Sequence, residues 1–385
     1  MRRLLWLASA MIFFDVAFFA AIAPLLPDYV DQLGLSKAEA GVLSASYAAG
    51  TLLAALPAGF VASRVGPRRT VIWGLLLLGI SSLIFGQVEE IDLLDAARFT
   101  QGIAGALIWA GALTWLITAS PEENRGKVIG TALGTAVAGA LLGPALGALA
   151  GTVGTDLVFG SVLVVTVGLA YAASRLPEAR APESQSLSEV LATLLSKPIL
   201  DGAIFVAVPS VMFGAIEVLV PLRIDSLGGG HGVIAAGFIA GAALEATLAP
   251  IAGRASDRIG RRLPYVSGMT ICAVAMVAIA LAQTLGGVLA ALIVTSLGAG
   301  LCFAPALTLL SDIAESSRLH QGFAAGLSNM AWASGQVVGG VGGGVVASLT
   351  GNALPSIAIA ALLLLTVAYA FRTLTPTVGA QAAEG

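Results

Sequence analysis

The first residue of this chain whose type and place could do chemistry is Asp15, in the stretch MIFFDVAFFAAIAPLLP from Met11 to Pro27. The run from Leu4 to Leu26 is otherwise apolar. At about 1.5 Å of rise per helical residue, the aspartate falls near the middle of a bilayer. A carboxylate there costs at least about 2.5 kcal/mol and almost always faces a cavity or a bundle interior, so it marks a candidate site. The plainer alternative is a carboxylate that only pairs with a neighbouring helix. Phe13, Phe14, Phe18 and Phe19 flank it. Aromatic faces beside a carboxylate suit a lipophilic cation, through charge attraction and cation–π contact. One or two of these rings, Phe18 among them, are expected to line a cavity, and the rest to meet lipid or other helices.

Three further charges stand inside apolar stretches. Glu217, in FGAIEVLVP, is placed to take up and release a proton as a cavity alternates between wet and closed. Its alternative is a structural hydrogen bond. Glu245, in GAALEATLAP, can face the same cavity or pair within its own half. Arg98, in ARFTQG, can partner an acid either statically or by exchanging partners. Trp109, further along that stretch, can line a cavity or serve packing. Aligning Pro24 with Pro221 puts Asp15 opposite Met212 and Glu217 five residues, about 7–8 Å of rise, nearer the outer face.

The elements that must hold these residues are membrane helices. Hydrophobic residues make up 57% of the 385, charged residues 11%, and mean hydropathy is +0.94. No soluble domain of this length has such a composition. The apolar stretches are continuous, not alternating, which predicts helices and not barrel strands. Twelve spans are predicted, near 4–27, 39–62, 70–87, 93–118, 127–151, 155–174, 199–222, 233–253, 264–283, 287–311, 321–349 and 354–373. The polar segment 175–197 separates residues 1–174 from 198–385 as a linker between two six-helix halves. Sixteen lysines and arginines fall on one side of this topology, and only Lys37 and Arg223 on the other. The positive-inside rule then puts both termini in the cytoplasm. Cys272 and Cys302 lie within spans and His231 and His320 in loops, so no metal, haem or disulfide framework can be assembled. Neither a phosphate-cradling loop nor a basic cluster interleaved with aromatics appears, and no nucleophile constellation points to an enzyme.

The halves repeat. Gly59-Phe-Val-Ala-Ser63-Arg64-Val-Gly66-Pro-Arg68-Arg69 matches Gly253-Arg-Ala-Ser-Asp257-Arg258-Ile-Gly260-Arg261-Arg262 at an offset of 194. Gly139, Gly143, Pro144 and Gly147 match Gly335, Gly339, Gly340 and Gly343 at an offset of 196. Two matches at nearly one offset, six spans apart, predict parallel halves around a central cavity.

These residues resemble the major facilitator superfamily over nearly the whole chain. The basic Gly-x-x-x-Asp-Arg-x-Gly-Arg-Arg pattern is complete at Gly253 to Arg262 and has Ser63 in the acidic place at Gly59 to Arg69. Arg98-Phe-Thr-Gln101-Gly102 is similar to the family's span-four motif, and Gly143-Pro144 to its antiporter signature, with Ala148 where a second glycine is usual. Asp15, Pro24, Pro27, Glu217 and Pro221 resemble the drug:H+ antiporter branch, which includes bacterial multidrug exporters and vesicular amine transporters. Asn329 stands where the amine carriers have an eleventh-helix aspartate.

The resemblance implies an all-α membrane protein, with twelve transmembrane helices in two pseudo-symmetric bundles. It implies a monomeric, cofactor-free antiporter of the cell inner membrane that exports a cationic or amphiphilic small molecule in exchange for protons. Asp15, Glu217, Arg98 and Glu245 are then expected to couple protons. Asp15, Glu217, Phe18, Trp109 and Asn329 are expected to meet substrate. Arg64, Arg68, Asp257, Arg258 and Arg262 are expected to latch the inner face, and Gly143 and Pro144 to allow movement. The rival readings are export of a neutral or zwitterionic solute, with the acids serving protons alone, and a receptor or lipid scramblase.

Overall fold

The computed structural model describes residues 2–121, 125–179, 187–317, 319 and 321–374. Arg180, Arg318, His320 and part of the linker lie outside them. Among the described residues the chain is helical throughout: α1 Arg2–Ala20, α2 Ile22–Leu33, α3 Lys37–Val65, α4 Pro67–Gln87, α5 Ile91–Ala119, α6 Arg125–Val153, α7 Thr155–Ser174, α8 Leu187–Leu194, α9 Lys197–Ser226, α10 His231–Ile259, α11 Arg262–Leu281, α12 Leu285–Ser316, α13 Gln321–Val337, a π-helical turn Val338–Gly342, α14 Gly343–Thr350 and α15 Ala353–Thr373. Eleven helices are long and apolar enough to cross a bilayer, taking α1 and α2 as one. The remaining predicted span, the eleventh, is divided into α13, the π turn and α14. Leu349, Val164 and Leu365 are strongly exposed on the outer surface, as expected where the solvent is hydrocarbon. The buried apolar side chains fall into two large clusters, one drawn almost wholly from residues 4–173 and the other from 190–370.

Local chemistry sets the breaks. Ser36 caps α3 with a reciprocal box, its hydroxyl accepting from the Glu39 amide while its own amide donates to Glu39 Oε2 at 2.7 Å. Gly66 and Gly260, equivalent in the repeat, take φ of +94° and +85° at the α3–α4 and α10–α11 corners, where a side chain would be strained. The first span breaks at Ala21 because Pro24 has no N–H to offer Ala20, and its ring crowds that carbonyl.

The second repeat has a packing role within each half. Gly139, Gly143 and Gly147 of α6 lie against the backbone of Phe13, Ala17 and Ala21, and Gly335, Gly339 and Gly343 lie against Ala207, Val211 and Ala215 of α9. In each half one glycine every four residues lets two helices meet backbone to backbone. Gly340 and Gly344 turn instead to Gly41 and Lys37 of α3. The glycine excess of span eleven therefore serves two neighbours at once, and the span is tightly packed.

The closest approach joins α3 to α5. Gly50 faces the carbonyl of Phe99, and Gly102 faces that of Tyr47, with no room for a Cβ at either. Gly102→Val is expected to lose about 3 kcal/mol or more by overpacking, and so to melt well below wild type in detergent. Gly130→Ala, where a Cβ meets nothing, is the control. Equal melting of the two variants would show that α3 and α5 can part at no cost.

Candidate functional site

Between the halves lies a cavity of about 150 Å³, walled by α1, α2, α6, α9, α10 and α12. Two of the sequence's acids edge it, Glu217 from α9 and Glu245 from α10. Phe19, Phe213 and Phe238 supply aromatic wall, and Pro144 closes the α6 side. Glu217 accepts a hydrogen bond from Gln336 of α13. Glu245 has no hydrogen-bond partner among the described residues, and its backbone packs on Gly300. Among the described residues no lysine, arginine or histidine lines this cavity. The arrangement offers two carboxylates and three rings to a guest and leaves any positive charge to be supplied by that guest.

Asp15 lies elsewhere. It is wholly buried in the N-terminal half, accepting from Tyr47 Oη at 2.9 Å and Trp109 Nε1 at 3.1 Å. Trp109 thus spends its one donor on Asp15. Arg98, also wholly buried, donates to the Phe18 and Phe19 carbonyls and to Gln101 Oε1 at 3.0 Å. Those two carbonyls are among the acceptors in the last turn of α1 before the break at Ala21, so Arg98 braces the interrupted first span from α5. Its guanidinium carbon lies 5.3 Å from the Tyr47 ring centroid and 6.0 Å from that of Phe19. Tyr47 therefore joins the two charges, holding Asp15 by its hydroxyl and Arg98 by its face. The Phe19 ring lies 4.8 Å from Tyr47 and 5.4 Å from Trp332 of the other half, linking this buried group to the cavity wall.

Phe18 faces inward to Phe159 at 5.6 Å, and Phe19, not Phe18, takes the cavity side. Asn329 is half-buried on α13 and is not among the cavity's lining residues. Alignment through the prolines also misjudges the symmetry. The glycine contacts relate α1 to α9 at an offset of 194, which puts Pro209 opposite Asp15. Glu217 then lies eight residues, about 12 Å, further along, at the level of Ala23.

The charged loops on the face that carries both chain ends act within a half or on the linker. Arg68 donates to the Leu176 carbonyl at 2.9 Å and pairs with Glu178 at 3.2 Å. Arg261 pairs with Asp312, and Arg262 covers the Phe371 ring. Among the described residues no hydrogen bond or ion pair carries Arg64, Asp257 or Arg258 across to the other half. What crosses at this end is apolar: Phe60 meets Phe323 at 4.8 Å between ring centroids. Gly143 is part of the α1–α6 packing, and Pro144 reaches the cavity. At the opposite face His231 Nε2 and Asp28 Oδ1 lie 2.7 Å apart, and Lys37 donates to Asn352 Oδ1, both pairs spanning the halves.

Sequence reasoning missed Tyr47 and Gln336. Each carried a signal, a hydrogen-bonding side chain in the middle of an apolar span, which must find a partner there.

The sequence pattern of the Major Facilitator Superfamily matches residues 5–245 and 218–385. A stretch of 109 residues is 25% identical to the quinolone resistance protein NorA of Staphylococcus aureus, covering 28% of each chain. Another, of 104 residues, is 30% identical to the multidrug resistance protein MdtL of a Shewanella species, covering 27% of this chain and 26% of the relative. These matches thus span about a quarter of the relatives' length. The structure of a D-xylose-proton symporter superposes with a TM-score of 0.76 over 97% of both chains at 16% identity, a likeness of fold.

Proposed function

Because the chain belongs to the Major Facilitator Superfamily, we propose that it is a proton-coupled antiporter that exports cationic or amphiphilic small molecules by alternating access. The observation that carries this reading is the cavity between the halves, with two carboxylates, three phenylalanine rings and no cation on its wall. Relatives named for quinolone and multidrug resistance support it. In this reading residues 1–174 and 198–385 rock about the cavity on the 175–197 linker. The protein acts as a monomer in the cell inner membrane, with both termini cytoplasmic.

Glu217 and Glu245 bind either a cation or protons. Protonation from the proton-rich side discharges the wall and releases the cation. Deprotonation on the other side restores the charge, so an inward proton gradient drives substrate out. A bound cation gains charge attraction at both acids and ring contact at Phe19, Phe213 and Phe238. These add about 0.5–2 kcal/mol per well-placed ring. Asp15 answers protonation without touching substrate, through Tyr47 and the Arg98 brace on the broken first span.

The test uses purified protein in liposomes with a pH dye inside, an imposed proton gradient and a panel of lipophilic cations. Cation-driven proton movement is expected. A panel that moves no protons through protein shown to be folded would sink export of cations, and movement driven by neutral solutes alone would favour the rival solute class.

A further inference from the structure

The sequence places only Lys37 and Arg223 on the face away from the chain ends, and the fold brings both to one cavity. It measures about 240 Å³ and is lined by Lys37, Leu219, Arg223, Ile279, Asn352 and their neighbours. Among the described residues no acidic side chain lines it. Lys37 donates to the neutral Asn352 Oδ1, and Arg223 donates to the Ala282 carbonyl at 3.0 Å. Both cations are thus positioned by neutral acceptors, and their charge stays unanswered. The helix α15 also begins here, with Ala353 as its first residue, whereas the start of α3 at Lys37 is already answered by the Ser36–Glu39 box. Asn352 turns its side chain to Lys37 and makes no cap on α15, which leaves first-turn N–H groups of that helix without a side-chain acceptor. Lys37, Arg223 and the uncapped first turn of α15 all present donors to the site, and helix N-termini favour anions.

We propose that this cavity binds a phosphate oxyanion, carried by an anionic lipid headgroup or free in solution. The apolar floor of Leu219 and Ile279 suits the first methylenes of a lipid's acyl chains, and the site lies at the ends of membrane helices, where headgroups are found. Lys37 belongs to the N-terminal half, and Arg223 and Asn352 to the C-terminal half. One oxyanion therefore ties the halves together and favours the arrangement in which this face is closed. The proposal stands on these groups alone and does not depend on what the central cavity transports.

The experiment is native mass spectrometry of the full-length protein with phosphatidylglycerol titrated against phosphatidylcholine, with melting in inorganic phosphate as a second arm. Wild type is expected to retain phosphatidylglycerol selectively. The double variant Lys37→Gln, Arg223→Gln is expected to bind it at least about tenfold more weakly, the loss of one charge-assisted hydrogen bond or more. Lys37→Arg with Arg223→Lys keeps both charges and should restore binding, and Arg372→Gln, at the far end, should match wild type. Stabilisation of wild type by inorganic phosphate, absent from the double variant, identifies the free oxyanion as a ligand. Stabilisation by lipid alone identifies the headgroup. Should the double variant fail to fold, Lys37→Gln against Lys37→Arg makes the same comparison. Equal binding by the charged and neutral variants, or no response of wild type to either ligand, overturns the proposal.

Discussion

A Glu217→Gln transporter in liposomes is expected to exchange protons for a lipophilic cation about 10- to 100-fold less effectively than wild type, with the loss in apparent affinity. A hydrogen bond or contact to a charged group in a desolvated site contributes about 1.5–3 kcal/mol, which corresponds to that range. Glutamine keeps the shape and can still accept from Gln336, so the charge alone is removed. Glu245→Gln tests the second carboxylate. Because that side chain has no hydrogen-bond partner among the described residues, its substitution leaves no stranded donor and should fold as well as wild type. Measured proton-to-cation ratios should fall in Glu245→Gln if both acids titrate during the cycle. Unchanged affinity in both variants would move the cation out of this cavity, and the aromatic wall would then belong to a neutral guest.

Asp15→Asn should give the opposite split. Cation affinity is expected to stay within about threefold of wild type, since Asp15 is buried and is not among the residues that line the cavity. Proton-coupled transport is expected to collapse. The physical reason lies in the chain of contacts through Tyr47: removing the charge takes from buried Arg98 one of the two carboxylates that act on it, Glu217 being the other and the stronger, and weakens the link that holds Tyr47 between Asp15 and Arg98. Trp109 can only donate, so the asparagine oxygen must stay with it and the amide must face Tyr47, whose hydroxyl proton is then stranded. Tyr47→Phe should cost less than Asp15→Asn. The double variant should be less unstable than the sum of the two singles, with a coupling of about 0.5–3 kcal/mol on thermal or denaturant unfolding. Strict additivity would mean that Tyr47 does not connect the two charges. Full proton-coupled transport by Asp15→Asn would remove the residue from the mechanism altogether.

The contrast between these two acids follows from their surroundings. Both are carboxylates in apolar spans, and hydropathy cannot distinguish them. Asp15 is enclosed by two donors from α3 and α5, whereas Glu217 and Glu245 stand at the boundary of the halves, where helices from different bundles fail to fill the space between them.

The sequence by itself determined the class, the span count and the repeat. Backbone polarity in hydrocarbon leaves helices as the solution for long continuous apolar runs, and a fixed offset between motifs needs no coordinates to be seen. It also singled out every charged residue of the membrane interior that the site uses, because an ion in a bilayer is too costly to be incidental. Only the tertiary structure decided which of those charges share a cavity. Facing depends on helix rotation, and rotation is set by packing partners far away in sequence: Gly143 on Ala17, Gly339 on Val211, Gly102 on Tyr47. The same contacts turned Phe18 inward and Phe19 to the cavity, and corrected the proline-based register of the two halves. The arginines of the loops illustrate the remaining gap, since composition could assign them a side of the membrane, while their partners Glu178, Asp312 and Phe371 emerged only when distant chain ends met.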